Sequence, residues 1–239
     1  AAWNFYRQQA REPQSWTAAY LAGRGLDAGP DGLGYAPAGW TNLVDHLRGH
    51  GYTDTDLLGA GLARTSRRGT LIDTFRDRLI LPIHDIEGNI AAFVGRAHPN
   101  APSGTPKYLN SPGTVLFAKS QLPYGLNLDA VDKLRAGAEL VIVEGPLDAL
   151  AVAAAARHAG RDAVAIAPLG TALTVGQLAT IDQIAPLADR KVLVALDNDP
   201  AGNAAAAKAH PLLATAGVSQ PQIPRLPDGL DPAELIARD

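Results

Sequence analysis

The chain has 239 residues, of which 46% are hydrophobic and 19% are charged, and its formal net charge is −3. This is the composition of an ordinary globular protein long enough to bury a sizeable core, and the weak net charge argues against a protein that simply coats DNA. No apolar run reaches the roughly 18 residues that a membrane span needs, so we expect a soluble, cytoplasmic protein without a membrane partner.

The sequence contains no cysteine and no methionine, not even a methionine at position 1. The absence of cysteine excludes disulfide bonds and the thiolate zinc sites that are common in nucleic-acid enzymes. The missing initial methionine predicts that the sequence is a segment of a longer protein. A zinc-binding module would then have to lie outside this segment.

Residues 1–60 predict short helices. A proline in the first turn indicates a helix over 13–22, and Thr41 is a plausible N-cap for a further helix. Thr53 predicts another N-cap, with Asp56 three residues later as a weak variant of the capping box. The stretch 29–39 is rich in glycine and proline, which favours a connector.

The next segment has a β-type pattern. Residues 78–84 and 89–95 are two apolar runs typical of strands, and residues 85–88 between them predict a hairpin loop. Pro82 indicates that its strand lies at a sheet edge or carries a bulge. Residues 98–113 are rich in Pro, Gly, Ser and Asn, so we expect a loop there.

From residue 139 onward, short apolar runs alternate with helical patterns, which is typical of a parallel sheet covered by helices on both faces. The predicted strands are 139–143, 163–167 and 191–196, and the predicted helices are 147–158, 175–184 and 204–216. The sequence therefore predicts an α/β fold with two domains. Residues 1–137 form a mixed α+β N-terminal subdomain, and residues 138–239 form an α/β domain with a mainly parallel sheet.

Charge is distributed unevenly along the chain. From 60 to 120 only four residues are acidic, whereas eight are basic: Arg64, Arg67, Arg68, Arg76, Arg78, Arg96, Lys107 and Lys119. From 140 to 239 the acidic residues outnumber the basic ones. This division suits a protein that holds a polyanion in one place and metal ions in another, although ordinary variation of surface charge explains it equally well by itself.

Carboxylates follow two of the predicted parallel strands. Glu144 comes directly after the first strand, and Asp197 and Asp199 come after the third. Asp148 lies in the first turn of the helix that follows Pro146, where helix geometry can direct it back to the same place. Because ligands bind at the carboxyl ends of parallel strands and carboxylates favour hard cations, these residues predict a Mg²⁺ or Mn²⁺ site.

Other interpretations of these carboxylates stay open. Glu144 could complement the dipole of a helix N-terminus, and Asp197 and Asp199 could form an Asx turn with N-capping. Farther along, Asp231 is a candidate additional ligand, and a simple turn residue before a proline is an equally good interpretation. The placement of both acidic groups at one sheet edge favours the metal site.

Four motifs resemble, in order and spacing, those of a TOPRIM domain, and more narrowly those of bacterial DnaG-type DNA primases. They are VEGPLD at 143–148, PLGTALT at 168–174, ALDNDPAG at 195–202 and LPDGLDP at 226–232. The upstream half resembles the basic N-terminal subdomain of the primase catalytic core. Its motifs are GYAPAGW at 34–40, FRDRLILP at 75–82, GR at 95–96, PKYLNSP at 106–112, LFAK at 116–119 and YGL at 124–126.

The resemblance implies a primase catalytic core that synthesises short RNA primers on a single-stranded DNA template from ribonucleoside triphosphates. Glu144 would be the acid–base residue near the reacting phosphate, with Asp197 and Asp199 completing the catalytic set. Mg²⁺ or Mn²⁺ would be held by five carboxylates, those of Glu144, Asp148, Asp197, Asp199 and Asp231. A replicative helicase would be a partner only through domains outside this segment.

The basic subdomain adds candidates for nucleotide and DNA binding. Arg96, Lys107 and Lys119 can neutralise template phosphates or the triphosphate of an incoming nucleotide. Tyr108 can stack on a base, and Asn110 can form a hydrogen bond. Taken singly, each lysine is also well explained as a solvated surface residue.

Two further features each have two interpretations. Arg76 and Arg78 flank Asp77, so the three residues could form an ordinary surface network. After the second parallel strand, Gly170 and Thr171 could bring backbone N–H groups to an anion or merely permit a sharp turn.

Two other functions are compatible with the motifs. Another TOPRIM enzyme shares the acidic set, but a type IA topoisomerase needs a tyrosine nucleophile in a separate domain, and a nuclease is not expected to carry PKYLNSP. The second is a non-catalytic single-strand-binding module of a larger replication or conjugation protein. Unused clustered carboxylates would lower stability through repulsion, which favours an enzyme.

Overall fold

The computed structural model describes residues 1–26, 28–29, 31–170, 172–188, 190–224 and 231–236. The chain divides into two compact units. The first contains Ala1–Gly23, Pro30–Pro82 and Ala91–Ala118, and the second contains Arg24–Gly29, Ile83–Ile90 and Lys119–Asp239. The domain boundary between 137 and 138 stays a prediction.

The first unit begins with short helices. They are α1 (Ala2–Gln9), α2 (Thr17–Ala22), α3 (Asn42–Gly49) and α4 (Asp54–Gly59). The predicted capping box of α4 is confirmed: the Thr53 N–H donates to Asp56 Oδ2 at 2.8 Å, and the Asp56 N–H donates to Thr53 Oγ1 at 3.2 Å.

The helix predicted over 13–22 is wrong at its start, because α2 begins only at Thr17. The Ser15 N–H donates to the Glu12 carbonyl oxygen at 2.9 Å, which closes a turn around Pro13. Proline is favoured both at the second position of such a turn and in the first turn of a helix, because its fixed φ suits both conformations. The sequence signal was therefore ambiguous at Pro13.

Six strands form two sheets with antiparallel pairings in the first part of the chain. They are β1 (Gly34–Ala36), β2 (Ala63–Thr65), β3 (Leu71–Asp73), β4 (Arg78–His84), β5 (Ile90–Ala97) and β6 (Tyr108–Asn110). The larger sheet has the order β1-β4-β5-β6, and β2 pairs with β3 in a separate hairpin. The predicted hairpin of β4 and β5 is confirmed.

Two segments predicted to be irregular contain short strands. β1 lies within the expected connector at 29–39, and β6 lies within the expected loop at 98–113. Each has three residues and gains its backbone partners from a longer strand, β4 or β5. A run of three residues carries too little periodicity to reveal such pairing. β4 lies between β1 and β5, so it is not the edge strand that Pro82 indicated, although Pro82 itself lies beyond the pairing of β1 with β4, which ends at Ile80.

The N-terminus of α3 is held by a side chain from another element. Thr41 precedes the helix, as predicted, but its hydroxyl donates to Asp45 at 2.7 Å and does not cap it. Instead, the buried Asp73 carboxylate at the end of β3 accepts hydrogen bonds from the N–H groups of Leu43 and Val44, at 3.0 and 2.9 Å. Burial raises the pKa of the Asp73 carboxyl group, and these two bonds oppose that shift.

The second unit has the predicted alternation of strands and helices. Its elements are α5 (Leu128–Arg135), β7 (Glu139–Val143), α6 (Pro146–His158), β8 (Ala163–Ile166), α7 (Val175–Ile184), β9 (Val192–Ala195), α8 (Pro200–Thr215) and α9 (Pro232–Ile236). The sheet order is β8-β7-β9, and both pairings are parallel.

The central strand β7 is buried on both faces. Leu140 and Ile142 belong to a core cluster that also contains buried residues of α5, α7 and α8. Val141 and Val143 alternate with them along the strand and are also buried. Burial on both faces explains the continuous apolar run in the sequence. The parallel pairing of β7 with both β8 and β9 makes it the middle strand and places its carboxyl end next to that of β9.

Candidate functional site

The acidic edge of the second unit is built by two neighbouring strands. Parallel pairing places Val143 at the end of β7 opposite Ala195 at the end of β9. Glu144 follows β7 directly and is exposed, and Asp197 comes two residues after β9 and is half-buried. The predicted meeting of the two strand ends at one sheet edge is therefore confirmed, while the roles of the carboxylates stay predictions.

Asp148 and Asp199 lie at helix N-termini beside these strand ends. Asp148 is buried in the first turn of α6, and its Oδ2 accepts a hydrogen bond from the Gly145 N–H at 3.0 Å. Asp199 is the N-cap of α8, and its Oδ1 accepts from the Gly202 N–H at 2.7 Å. A side chain at Gly202 would overlap the Asp197 carbonyl oxygen, so glycine lets α8 begin close to that residue.

Asp231 precedes α9 and caps its N-terminus. Its Oδ1 accepts from the Glu234 N–H at 2.6 Å, and its Oδ2 lies 3.6 Å from the guanidinium of Arg24. Arg24 was not among the predicted site residues, and no local pattern in the sequence links it to Asp231. The motif residues 226–230 and Thr171, which the sequence singled out, lie outside the described residues.

The acidic edge fits a divalent cation by its chemistry but not as a ready-made cage. Among the residues that the structure describes, no group of three or more His, Asp or Glu side chains is arranged to hold a metal ion. Carboxylate oxygens are nevertheless the ligands that Mg²⁺ and Mn²⁺ prefer. Since a carboxylate offers about four lone-pair sites, one helix-capping hydrogen bond leaves it able to coordinate a cation as well.

Four of the five predicted binding residues lie together in the first unit. β6 pairs with β5 so that Arg96 is opposite Tyr108, and Asn110 lies two residues farther along β6, on the same face. The Tyr108 ring centre is 5.6 Å from the Arg96 guanidinium carbon and 5.9 Å from Lys107 Nζ. Two cations thus lie beside one aromatic ring, within the range of cation–π attraction.

Asn110 also lines a cavity of about 770 Å³ with Arg64, Arg76 and Arg78. Arg78 is only 6% exposed, and its Nη1 donates to the carbonyl oxygens of Gly95 and Pro106, at 2.9 and 3.1 Å. Burial lowers the pKa of the Arg78 guanidinium, and the charge of Arg96 adds to this effect. Backbone carbonyls therefore hold this buried cation in place.

Asp77 does not join the surface network that its position between two arginines suggested. Its backbone has a φ of 48°, in the left-handed region, and its Oδ1 accepts hydrogen bonds from Trp16 Nε1 at 2.9 Å and from the Tyr35 hydroxyl at 3.0 Å. Burial and the nearby Asp77 carboxylate raise the pKa of Tyr35 to about 12. Neutral donors thus orient the Asp77 carboxylate, and its charge opposes the lowering of the Arg78 pKa.

A second cavity of the first unit, of about 840 Å³, was missed by sequence reasoning. It is lined by Trp40 and by four arginines, Arg64, Arg67, Arg68 and Arg76. The Trp40 side chain is 60% exposed even though the Arg76 guanidinium carbon lies 3.6 Å from its ring centre. The excess of arginine between 60 and 120 was the available signal, but it did not show which residues converge.

Lys119, the fifth predicted binding residue, belongs to the second unit. Its side chain is exposed, while its carbonyl oxygen accepts a hydrogen bond from Gln177 Nε2 at 2.9 Å. The next carbonyl oxygen, that of Ser120, accepts from the Thr174 hydroxyl at 2.6 Å. The first turn of α7 therefore fixes the backbone that carries Lys119.

Fold and site together define a protein with a basic, β-rich unit and a Toprim-type α/β unit that carries carboxylates at adjacent strand ends. Residues 141–236 match the family described as Toprim-like, and residues 5–130 match the N-terminal domain of the DNA primase catalytic core. The chain belongs to the DnaG-type DNA primase family.

Individual relatives agree with this assignment. The chain is 38% identical to the DNA primase of Streptomyces coelicolor and 34% identical to that of Escherichia coli K12, over 98% of its own length in both cases. It covers 36% and 39% of those proteins, so it spans little more than a third of the relatives it matches.

Solved structures match the fold over almost the whole chain. The RNA polymerase domain of Mycobacterium tuberculosis primase DnaG has a TM-score of 0.84 and 33% identity, with 98% of this chain and 75% of that chain covered. A DnaG primase catalytic domain bound to single-stranded DNA has a TM-score of 0.82 and 32% identity, with 99% and 72% covered. In the part of the chain that the structure describes, no helix is both long and apolar enough to cross a membrane.

Proposed function

We propose that this chain is a primase catalytic core that adds ribonucleotides to a short RNA primer on a single-stranded DNA template by metal-dependent nucleotidyl transfer. The observation that carries the proposal is the joint match of both units, in order, to the primase core and Toprim-like families. Relatives named DNA primase match over nearly the whole chain. One structural neighbour is a DnaG primase catalytic domain bound to single-stranded DNA.

In this proposal the acidic edge is the catalytic centre. Glu144, exposed at the end of β7, takes a proton from the attacking 3′-hydroxyl as its oxygen bonds to the α-phosphorus of the ribonucleoside triphosphate and pyrophosphate leaves. Asp197 and Asp199 complete the catalytic set. Mg²⁺ or Mn²⁺ would be held by these three residues with Asp148 and Asp231. When bound, such cations polarise phosphate oxygens and favour ionisation of the hydroxyl.

The helix caps give the acidic edge a defined starting geometry. Asp148, Asp199 and Asp231 each accept a hydrogen bond from a backbone N–H in the first turn of a helix or just before it. These bonds fix the orientation of the three carboxylates in the absence of a cation.

The basic residues bind the polyanionic substrates. Arg96, Lys107 and Lys119 contact phosphates of the template or of the incoming ribonucleoside triphosphate. Tyr108 stacks on a base, and Asn110 forms a hydrogen bond at the edge of the 770 Å³ cavity. A helicase partner stays a prediction that concerns domains outside this chain.

The test is nucleotide addition by the 239-residue chain to a preformed RNA primer on a DNA template, with Mg²⁺ or Mn²⁺ and labelled ribonucleotides. A preformed primer separates chemistry from initiation. Glu144→Gln should lower the rate by about 100-fold or more, which is typical for loss of a general acid–base group. Asp197→Asn should have an effect of similar size.

Asp132→Asn is the matched control, because Asp132 is a highly exposed aspartate of the same unit and the change in charge is the same. It should leave the rate unchanged. Degradation of the template by the parent would favour the nuclease alternative. DNA binding without any product from the parent, in both cations, would contradict the proposal and favour a non-catalytic binding module.

A further inference from the structure

The tip of the β2–β3 hairpin presents two adjacent arginines on a rigid turn. The Gly69 N–H donates to the Ser66 carbonyl oxygen at 3.0 Å, and the Ser66 N–H donates to the Thr70 carbonyl oxygen at 2.8 Å. Gly69 has a φ of 79°, the left-handed conformation that glycine adopts without strain. Arg67 and Arg68 therefore occupy the two central positions of the turn, where both side chains are exposed.

The hydroxyl groups at the base of this turn bond to each other. Ser66 Oγ lies 2.8 Å from Thr70 Oγ1, and the Arg68 N–H lies 3.3 Å from Ser66 Oγ. These contacts tie the two ends of the turn together. The backbone that carries Arg67 and Arg68 is thus ordered by local bonds that do not involve the two guanidinium groups.

The arginines converge on the 840 Å³ cavity. Arg64 on β2 lines it together with Arg67, Arg68 and Arg76, and the described residues around it include no aspartate or glutamate. Burial lowers the pKa of the Arg76 guanidinium, the charge of Arg64 adds to that shift, and the charge of Asp73 opposes it. The four lining cations repel one another, and a bound polyanion offsets this repulsion.

The chemistry of the cavity favours a nucleic-acid backbone over a small anion. Three exposed guanidiniums, on a strand and on the turn that follows it, can each pair with a separate phosphate. Trp40, which also lines the cavity, offers an exposed indole for a base. A cavity lined by four cations and one aromatic surface suits a single strand of any sequence, because phosphates and base stacking are common to all sequences.

We propose that Arg64, Arg67 and Arg68 form a template anchor, which binds consecutive phosphates of single-stranded DNA independently of base sequence. The anchor deepens the proposed function, on which it rests, because it assigns template binding to three residues outside the motifs of the family resemblance. It acts on template affinity and takes no part in the chemical step.

The test compares the parent chain with the triple variant Arg64→Ser, Arg67→Ser, Arg68→Ser. Affinity for a fluorescent oligo-dT is measured by anisotropy over a series of salt concentrations. For single strands, each lost phosphate contact should reduce the slope of log affinity against log salt by about 0.7, so the triple variant should lose about 2. Binding should weaken equally for oligo-dT and a mixed-sequence strand.

Arg7→Ser with Arg11→Ser is the control, because both arginines are exposed and belong to the same unit. This pair should keep the parental slope. Circular dichroism checks that the triple variant is folded, and Arg67→Glu with Arg68→Glu gives a second variant with a larger expected loss. A folded triple variant with the parental affinity and slope would overturn the anchor while leaving the proposed function intact.

Three further outcomes are decisive. If the parent fails to bind single-stranded DNA at all, the anchor and the proposed function are both overturned. If the triple variant loses affinity only for duplex DNA, the anchor is a duplex site and the proposal is wrong. If inorganic tripolyphosphate at equal phosphate concentration displaces the oligonucleotide as well as unlabelled oligo-dT does, the cavity binds a short polyphosphate and the proposal is also wrong.

Discussion

The basic cavities of the first unit and the acidic edge of the second unit both collect charges of one sign, yet they stabilise them differently. Arg78 donates to two backbone carbonyl oxygens. The carboxylate of the adjacent Asp77 accepts hydrogen bonds from the side chains of Trp16 and Tyr35. Asp148 and Asp199 accept from backbone N–H groups around helix N-termini. In both regions backbone groups contribute to holding the charged side chains in place.

The difference lies in what binding requires. The arginines already line open cavities, so a polyanion can bind without a change in backbone structure. The carboxylates serve as caps, and the described ones are not grouped as a metal cage, so a cation has to share them with the helix N-termini. DNA binding should therefore be independent of divalent cations, whereas the chemical step should depend on them.

The largest effect is expected at Asp199, where capping and cation binding can be separated. Asparagine is as good an N-cap as aspartate, so Asp199→Asn should keep the melting temperature of the parent. Loss of the charge should lower nucleotide addition by about 100-fold or more. Asp199→Ala should lose the same activity and also about 1 kcal/mol of stability. An active Asp199→Asn variant would show that Asp199 is only a cap.

Asp77 tests whether the arginines are free of an acidic partner. Asparagine tolerates a positive φ and keeps an oxygen for Trp16 and Tyr35, so Asp77→Asn removes charge with little change in structure. If Asp77 does not neutralise Arg76 or Arg78, the salt dependence of oligo-dT binding should be unchanged. An increase in the slope by about 0.7 would show that Asp77 occupies one phosphate site in the parent.

The smallest effect concerns the pH dependence of the Tyr35–Asp77 contact. The pKa of Tyr35 is raised to about 12 in the folded chain, above its ordinary value of 10.0. The stabilisation from this bond is therefore complete below pH 10 and is lost as the pH rises towards 12. Tyr35→Phe should reduce the fall in melting temperature between pH 9 and 11, as thermal denaturation can measure. The exposed Tyr52, changed to Phe, is the control, and an equal fall in both variants would contradict this assignment.

The acidic edge could be predicted from the sequence because its geometry follows from topology. The carboxyl ends of parallel strands lie at the same edge of a sheet, so Glu144 and Asp197 come to one edge irrespective of the loop conformations. The ion pair of Arg24 with Asp231 could not be predicted, because it joins residues that are distant in sequence and share no motif. Its geometry depends on tertiary packing, which local patterns do not encode.

The basic cavities were predicted only in outline. The pairing of β5 with β6 brought Arg96 and Tyr108 together, although β6 itself was expected to be loop. The convergence of Trp40, Arg64 and Arg76 depends on a separate two-stranded hairpin, whose three-residue strands lack a clear alternation. Sequence composition thus revealed the excess of positive charge but not the surface on which it gathers.

The central claim is that the two regions have separate tasks, and one paired measurement tests it directly. DNA affinity and nucleotide addition at saturating template are measured on the same samples of the parent, Asp197→Asn and the triple arginine variant. We expect Asp197→Asn to lose nucleotide addition while its affinity for oligo-dT stays within about twofold of the parent, and the arginine variant to show the reverse. Parental nucleotide addition by Asp197→Asn, or an equal loss of both properties in each variant, would contradict the account.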